Sequence, residues 1–238
     1  MQKLSKQEVL LLSSSTGDAS NCDLSGVRLN NLELLGMCFD GSVFTGADLS
    51  SSNLSGSSFR NAVLSGGNLS SSNFTGCSFE HAHLQNADLT FSTFVGADFG
   101  NADLRDANFT NSKLSSARLE NANLTSANLQ MTDAAMIRCA GAVLRAVHAR
   151  SASMIGADLS RADLQGANLH GTDLSNASLA SADLRDADIL DATFTAADLT
   201  NADLRGARFK RTDLTRAKFE GLQHDDELSD LLSRYRSR

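Results

Sequence analysis

The chain of 238 residues is 41% hydrophobic yet only 5% aromatic, has no proline and no tryptophan, and carries a formal net charge of −7. That composition argues against a globular core built on large aromatics, and the charge argues against a generally basic surface for binding nucleic acid directly. The acidity is uneven: residues 1–112 hold 5 Lys/Arg against 11 Asp/Glu, whereas residues 113–223 hold 13 against 13.

The first segment, residues 1–19, reads as a short helix followed by a linker. Ser5 and Glu8 form the S-x-x-E pattern of a capping box, with Leu4 and Val9 placed as a hydrophobic staple. The pattern predicts a helix over Lys6–Leu12, lying as a lid on the element that follows. The apolar run from Val9 to Leu12 is far shorter than a signal-peptide core or a membrane span, and no long apolar run follows. Cys22, Cys38, Cys77 and Cys139 show neither C-x-x-C spacing nor the density of a disulfide framework, so reduced thiols in a cytoplasmic protein are expected.

From residue 20 to residue 221 one pattern governs the chain. In "ADLSS", "ADLTF", "ADLRD" and "ANLTS" the large apolar residues Leu49, Leu89, Leu104 and Leu124 recur in a phase of five. From Leu24 to Phe219 that phase passes through forty centres with no insertion, and only Ala134, Cys139 and Ala149 are not Leu, Ile, Met or Phe. Two residues before each centre stands a small residue, except at Val27, Leu32, Met37, Ile137 and Val147. A period of five fits neither a helix nor a plain strand, so each unit joins a short extended piece to a turn. Alternation turns the centre and the small residue inward and the Asp or Asn between them outward. Gly, Asn or Ser two residues after the centre, as at Gly26, Asn101, Gly166 and Asn201, supplies the turn.

These A(D/N)Lxx units resemble those of the pentapeptide-repeat family. The resemblance implies an all-β solenoid: a right-handed quadrilateral parallel β-helix with four units per coil. Forty centres then make about ten coils, a rod roughly 45–50 Å long, which the reading of the two termini closes with short capping helices. Residues twenty apart become neighbours, so Phe39, Phe59, Phe79 and Phe99 are expected to stack, as are Phe74 and Phe94. Asp163, Asp183 and Asp203 also align, and Arg185 and Arg205 are placed to neutralise them as an ion ladder.

The stretch "QMTDAAMIRCAGAVLRAVHARSASMIGADL", Gln130 to Leu159, looks foreign but keeps the phase. Where Cys139 and Ala149 are small, Ile137 and Val147 two residues earlier are large, which conserves interior volume. Its outer positions change more: Met131 and Met136 stand at corners, Ile155 follows Ala135 one coil on, and Arg138, Arg145, His148 and Arg150 face outward. Exposed apolar residues beside Arg characterise interface cores. These seven residues are the candidate partner-binding site, with decay of the repeat as the competing account.

Residues 222–238 read as an amphipathic helix, with Leu228, Leu231, Leu232 and Tyr235 at i, i+3, i+4 and i+7. Its stripe suits either capping of its own rod or pairing with a second copy. No catalytic motif stands out. Glu80-His81-Ala82-His83 is the one local metal-like cluster, and its polar groups read as surface decoration, so no metal or cofactor is expected. The expected function is a non-catalytic rod that binds a protein partner. The resemblance offers two narrower alternatives: a DNA mimic acting on a type II topoisomerase such as gyrase, giving antibiotic or toxin protection, or a secreted bacterial effector, for which Ser13–Ser20 would belong to the signal. Two features weigh against the topoisomerase version, since the acidity is confined to the first half and the unbroken phase leaves no projecting loop.

Overall fold

The computed structural model describes residues 1–236, apart from the side chains of residues 230, 231 and 234–236. Its regular elements are few: β1 (Gln2–Lys3), α1 (Lys6–Ser13), β2 (Cys22–Asp23) and α2 (Asp226–Arg236). Between the helices lies a solenoid whose walls are too short to count as strands, because each extended piece meets a corner after about two residues. The pairing is nevertheless continuous. Parallel bridges join each outward middle residue to the one twenty positions later, in four ladders. Wall 1 runs from Asp18 to Lys218, wall 2 from Asp23 to Gln223, wall 3 from Arg28 to Arg208 and wall 4 from Glu33 to Asp213. Ten steps along wall 1 give a length of roughly 48 Å.

The corners follow from backbone sterics. Residues two after each centre take the left-handed conformation, as at Gly26 (φ 67°) and Asn101 (φ 58°), where glycine and asparagine cost least. Most corners close with a three-residue turn bond, such as Ala47 N–H to the Phe44 carbonyl at 2.8 Å. Wall amides bond along the rod instead: Asp48 N–H reaches the Val27 carbonyl at 2.9 Å and Leu49 N–H the Asn68 carbonyl at 2.7 Å.

The interior is one continuous core of the inward centres and their small companions. Phe59 and Phe79 stack at 5.0 Å, Phe79 and Phe99 at 4.8 Å, and Phe74 and Phe94 at 5.1 Å, as the twenty-residue register requires. The two columns also interlock edge to face, Phe74 against Phe79 at 5.6 Å, a contact that spacing alone does not reveal. The exchanged residues Ile137, Cys139, Val147 and Ala149 are all buried, so the foreign stretch is continuous with the core.

At the N-terminus the capping box forms, with Glu8 N–H donating to Ser5 Oγ and Ser5 N–H to Glu8 Oε2, and Leu4 and Val9 enter the core. At the other end Leu228 and Leu232 of α2 are buried in the chain's own core, and Asp225 accepts the Gly206 N–H at 2.6 Å. Those two leucines are therefore unavailable to a second copy, which corrects the pairing option for them. The side chains of Leu231 and Tyr235 lie outside the described residues.

Beneath wall 4 the small inward position is a hydroxyl in seven of ten coils, Ala152 and Ala192 being the alanines and Leu32 the one large residue. Ser52, Ser72, Ser92 and Ser112 stack in one buried column. At the corners leading to Leu32, Ser52, Ser72 and Ser92 the direct turn bond is replaced. Ser52 Oγ accepts the Leu32 N–H at 3.0 Å and donates to the Leu29 carbonyl at 2.8 Å, and Ser72 and Ser92 repeat the bridge one and two coils later. Each hydroxyl thus satisfies one donor and one acceptor that burial would otherwise leave open.

Candidate functional site

The seven candidate residues share a band around the rod but not a face. Arg138 is on wall 1, Arg145 on wall 2, His148 and Arg150 on wall 3, and Ile155 on wall 4, with Met131 and Met136 at the two corners that bound wall 4. Walls 2 and 4 are opposite, so no flat partner touches Arg145 and Ile155 together. Two of the arginines are also engaged within the chain. Arg138 Nε lies 3.0 Å from Glu120, which holds Arg118 on its other side at 3.8 Å, and Arg145 Nε lies 2.5 Å from Asp163. Arg138 and Arg145 belong to surface ion ladders, and the candidate site contracts to Met131, Met136 and Ile155 with Arg150 beside them. His148 stands apart, exposed between Asn128 and Asn168.

Counting by twenty adds a residue that local reading misses. Phe91 occupies the same corner column as Met131, two coils earlier, and is 65% exposed. Among the described residues, the exposed large apolar side chains outside the first 34 residues are Leu35, Phe91, Met131, Met136 and Ile155. Every one lies on wall 4 or at its corners. Half-buried Val95 adds to the same face.

Three of these residues are held against their own preference. Phe91, Met131 and Met136 have φ of 57°, 54° and 58°, in the left-handed region where a bulky side chain costs about 1–2 kcal/mol. At 55–65% exposure, little of that cost is recovered by burial within the chain. The equivalent corner between walls 1 and 2 carries Asn with its side chain over a Gly one coil on, as Asn21 lies over Gly41 and Asn201 over Gly221. Met136 copies that seating: its Sδ lies over Gly156, where a Cβ would come within 2.6 Å.

The wall 4 ladder holds five charged residues, Glu33, Lys113, Asp133, Asp173 and Asp213. It begins with amide hydrogen bonds, Asn73 Nδ2 donating to Asn53 Oδ1 at 3.1 Å and Asn53 Nδ2 to Glu33 at 2.8 Å. In its four central rows the charged residues are Lys113 and Asp133, and none of the ion pairs among the described residues uses the wall's ladder. On wall 2, by contrast, Arg185 Nη2 meets Asp183 at 2.5 Å while its Nε lies 3.8 Å from Asp203, and Arg205 Nη2 meets Asp203 at 2.5 Å. The expected interleaved ladder is present there. Glu80 of the His81–His83 cluster is paired with Arg60 at 3.1 Å.

The buried thiols offer no chemistry to this surface. Cys77 donates to the Leu54 carbonyl at 3.0 Å, and burial pushes its thiol up to about 12. Burial also drives the Cys139 thiol upward, aided by the nearby Glu120 and Asp158 carboxylates. Neither supplies a thiolate near neutral pH.

The family model for pentapeptide repeats matches the chain in eight copies, over residues 17–46, 42–80, 72–111, 102–134, 137–176, 162–201 and 192–223. No curated protein matches in sequence. Among solved structures the chain is similar to HetL, a pentapeptide repeat protein involved in heterocyst differentiation regulation from the cyanobacterium Nostoc sp. strain PCC 7120. The identity is 29%, the TM-score 0.63, and the match covers 94% of this chain and 98% of HetL. It is also similar to a trypsin-treated form of QnrB1, a plasmid-mediated fluoroquinolone resistance protein, at 22% identity and a TM-score of 0.61, over 78% of this chain and 96% of that one.

Proposed function

The chain belongs to the pentapeptide-repeat family, and we propose that it serves as a right-handed, ten-coil, non-catalytic rod that binds a protein partner through wall 4. The observation that carries this reading is the collection of exposed Phe91, Met131, Met136 and Ile155 on one wall, three of them in a backbone conformation that disfavours them. Strain at an exposed apolar position has no folding rationale and is the kind of feature that function retains. A rigid scaffold suits the role, because the interface is ordered before the partner arrives.

Photo-crosslinkers placed at positions 131 and 136 should capture the same protein in cells, and crosslinkers at 63 and 123 on wall 2 should not. Equal capture from both walls, or none from wall 4, would overturn the reading.

DNA mimicry asks for rows of uncompensated carboxylates. Here Asp98 faces Arg118, Asp163 faces Arg145, and Asp183 and Asp203 alternate with Arg185 and Arg205. Supercoiling by a type II topoisomerase, with and without a quinolone, is accordingly expected to be unchanged by the protein at micromolar concentrations. Inhibition or protection would restore the mimic.

A further inference from the structure

We infer that the occupant of wall 4 is an amphipathic α-helix with acidic flanks, lying along the rod between the corner that carries Phe91 and Met131 and the corner that carries Met136. This deepens the protein-binding reading and rests on it.

The backbone excludes an added strand. Along the wall Thr93 N–H bonds the Ser72 carbonyl at 2.9 Å, Lys113 N–H the Ser92 carbonyl at 2.9 Å, Asp133 N–H the Ser112 carbonyl at 3.0 Å and Ser153 N–H the Thr132 carbonyl at 2.9 Å. With its amides committed along the rod, the wall has no open edge to template a β-strand, and only side chains are on offer. A helix satisfies its own backbone and needs only side-chain contact.

The dimensions agree. Phe91 and Met131 are two coils apart, roughly 9.6 Å, close to the about 10.5 Å that separates i and i+7 on a helix. Met136, with Ile155 on the next coil, provides the opposing ridge. The floor between them is the short polar row Thr93, Lys113, Asp133 and Ser153. Methionine at both ridges suits a helix whose apolar residues must find their own seats, since its thioether repacks easily.

The sign of the flanking charge comes from the cations left over. Between residues 100 and 160 Arg105, Arg118, Arg138 and Arg145 each have a carboxylate partner. Lys113 and Arg150, both exposed, have none among the described residues. Lys113 lies on the wall's midline, and the Arg150 carbonyl accepts the Met131 N–H at 3.1 Å, which sets Arg150 at the rim. At physiological ionic strength charges act over about 8 Å, so Lys113 and Arg150, set against the one floor carboxylate of Asp133, leave the site locally positive, with the acidity of walls 1 and 2 farther off.

The test uses a stapled 18-residue helical peptide with a Leu/Met stripe flanked by Glu, the same peptide with Lys for Glu, and a proline-interrupted version. Binding is read on the protein's methionine methyl NMR signals. The Glu peptide should shift Met131 and Met136 and leave buried Met37 and Met154 unmoved, with at least tenfold weaker binding of the Lys and proline versions. Replacing Lys113 and Arg150 together by alanine should remove the preference for Glu over Lys. The Met131→Asn, Met136→Asn double variant should lose binding while remaining folded, because Asn is at home at these corners. Equal or tighter binding of the Lys peptide, or equal binding of the interrupted one, would overturn the proposal. So would concentration-dependent self-association in sedimentation that broadens Met131 and Met136, which would give the wall to a second copy. Capture from wall 4 in cells without binding of the Glu peptide would sink the helix alone and leave the protein-binding reading standing.

Discussion

The hydroxyl of Ser72 receives the amide of Ser52 at 3.1 Å, one coil below, and passes its own proton to the Leu49 carbonyl at 2.8 Å. Ser72→Ala removes both bonds at once and leaves two buried backbone groups open. The expected loss is about 2 kcal/mol, read from urea unfolding. A loss below about 0.5 kcal/mol would mean that the Ser52 amide has turned back to Leu49, closing the corner as Ala47 does on Phe44.

At the strained corners substitution should stabilise. Met131→Asn and Met136→Asn exchange a bulky left-handed residue for one that tolerates that region, and each should gain about 1 kcal/mol. Thermal denaturation of the single variants checks this. A fall in the midpoint would show that each methionine has a packing role the exposed geometry conceals.

The wall 2 ladder sets an acid limb. Hydrogen bonds from Arg185 hold the Asp183 carboxyl below its ordinary range, and those from Arg205 do the same for Asp203, both against a desolvation that opposes them. A carboxyl more acidic folded than unfolded binds fewer protons in the native state. Its contribution is therefore complete above the unfolded value of about 3.9 and is lost as pH falls through the lowered folded value. Asp203→Asn should flatten the decline of the thermal midpoint at and below about pH 4. An unchanged slope would assign the acid limb to other carboxylates.

Cys77 and Cys139 should be silent to iodoacetamide at pH 8 while the protein is folded and should react once it is denatured. Mass spectrometry of the alkylated peptides reads the result. Rapid native labelling of Cys77 would show that its coil opens often.

Much of the fold was legible because the core obeys a short rule. The forty centres, the phenylalanine columns and the Asp–Arg ladder all follow from counting fives and twenties, and the capping box at Ser5 and Glu8 from its own S-x-x-E spacing. The site was less legible. Reading along the chain grouped Arg138, Arg145 and His148 with Met131 because they are close in sequence, whereas the coil sends them to different walls. Phe91 was missed for the converse reason: forty residues separate it from Met131 in the chain, and two coils separate them in space. A large apolar residue in a corner column otherwise held mostly by small or polar residues was the available signal. The serine column beneath wall 4 was visible only as a choice of small residues, since its bridging role depends on which corner lacks its turn bond.

The interior repeats after five residues, but the exterior repeats only after twenty. Excising twenty residues from the middle of the chain would remove one storey and leave every face in line. Excising five would keep each leucine pointing inward and yet rotate all that follows by a quarter revolution. A cut between residues 92 and 130 would then part Phe91 from Met131, Met136 and Ile155 while every remaining centre still points inward. Folding tolerates any whole unit gained or lost, whereas the surface tolerates only whole turns, so the length of this chain is constrained four times more coarsely by what it touches than by what holds it together.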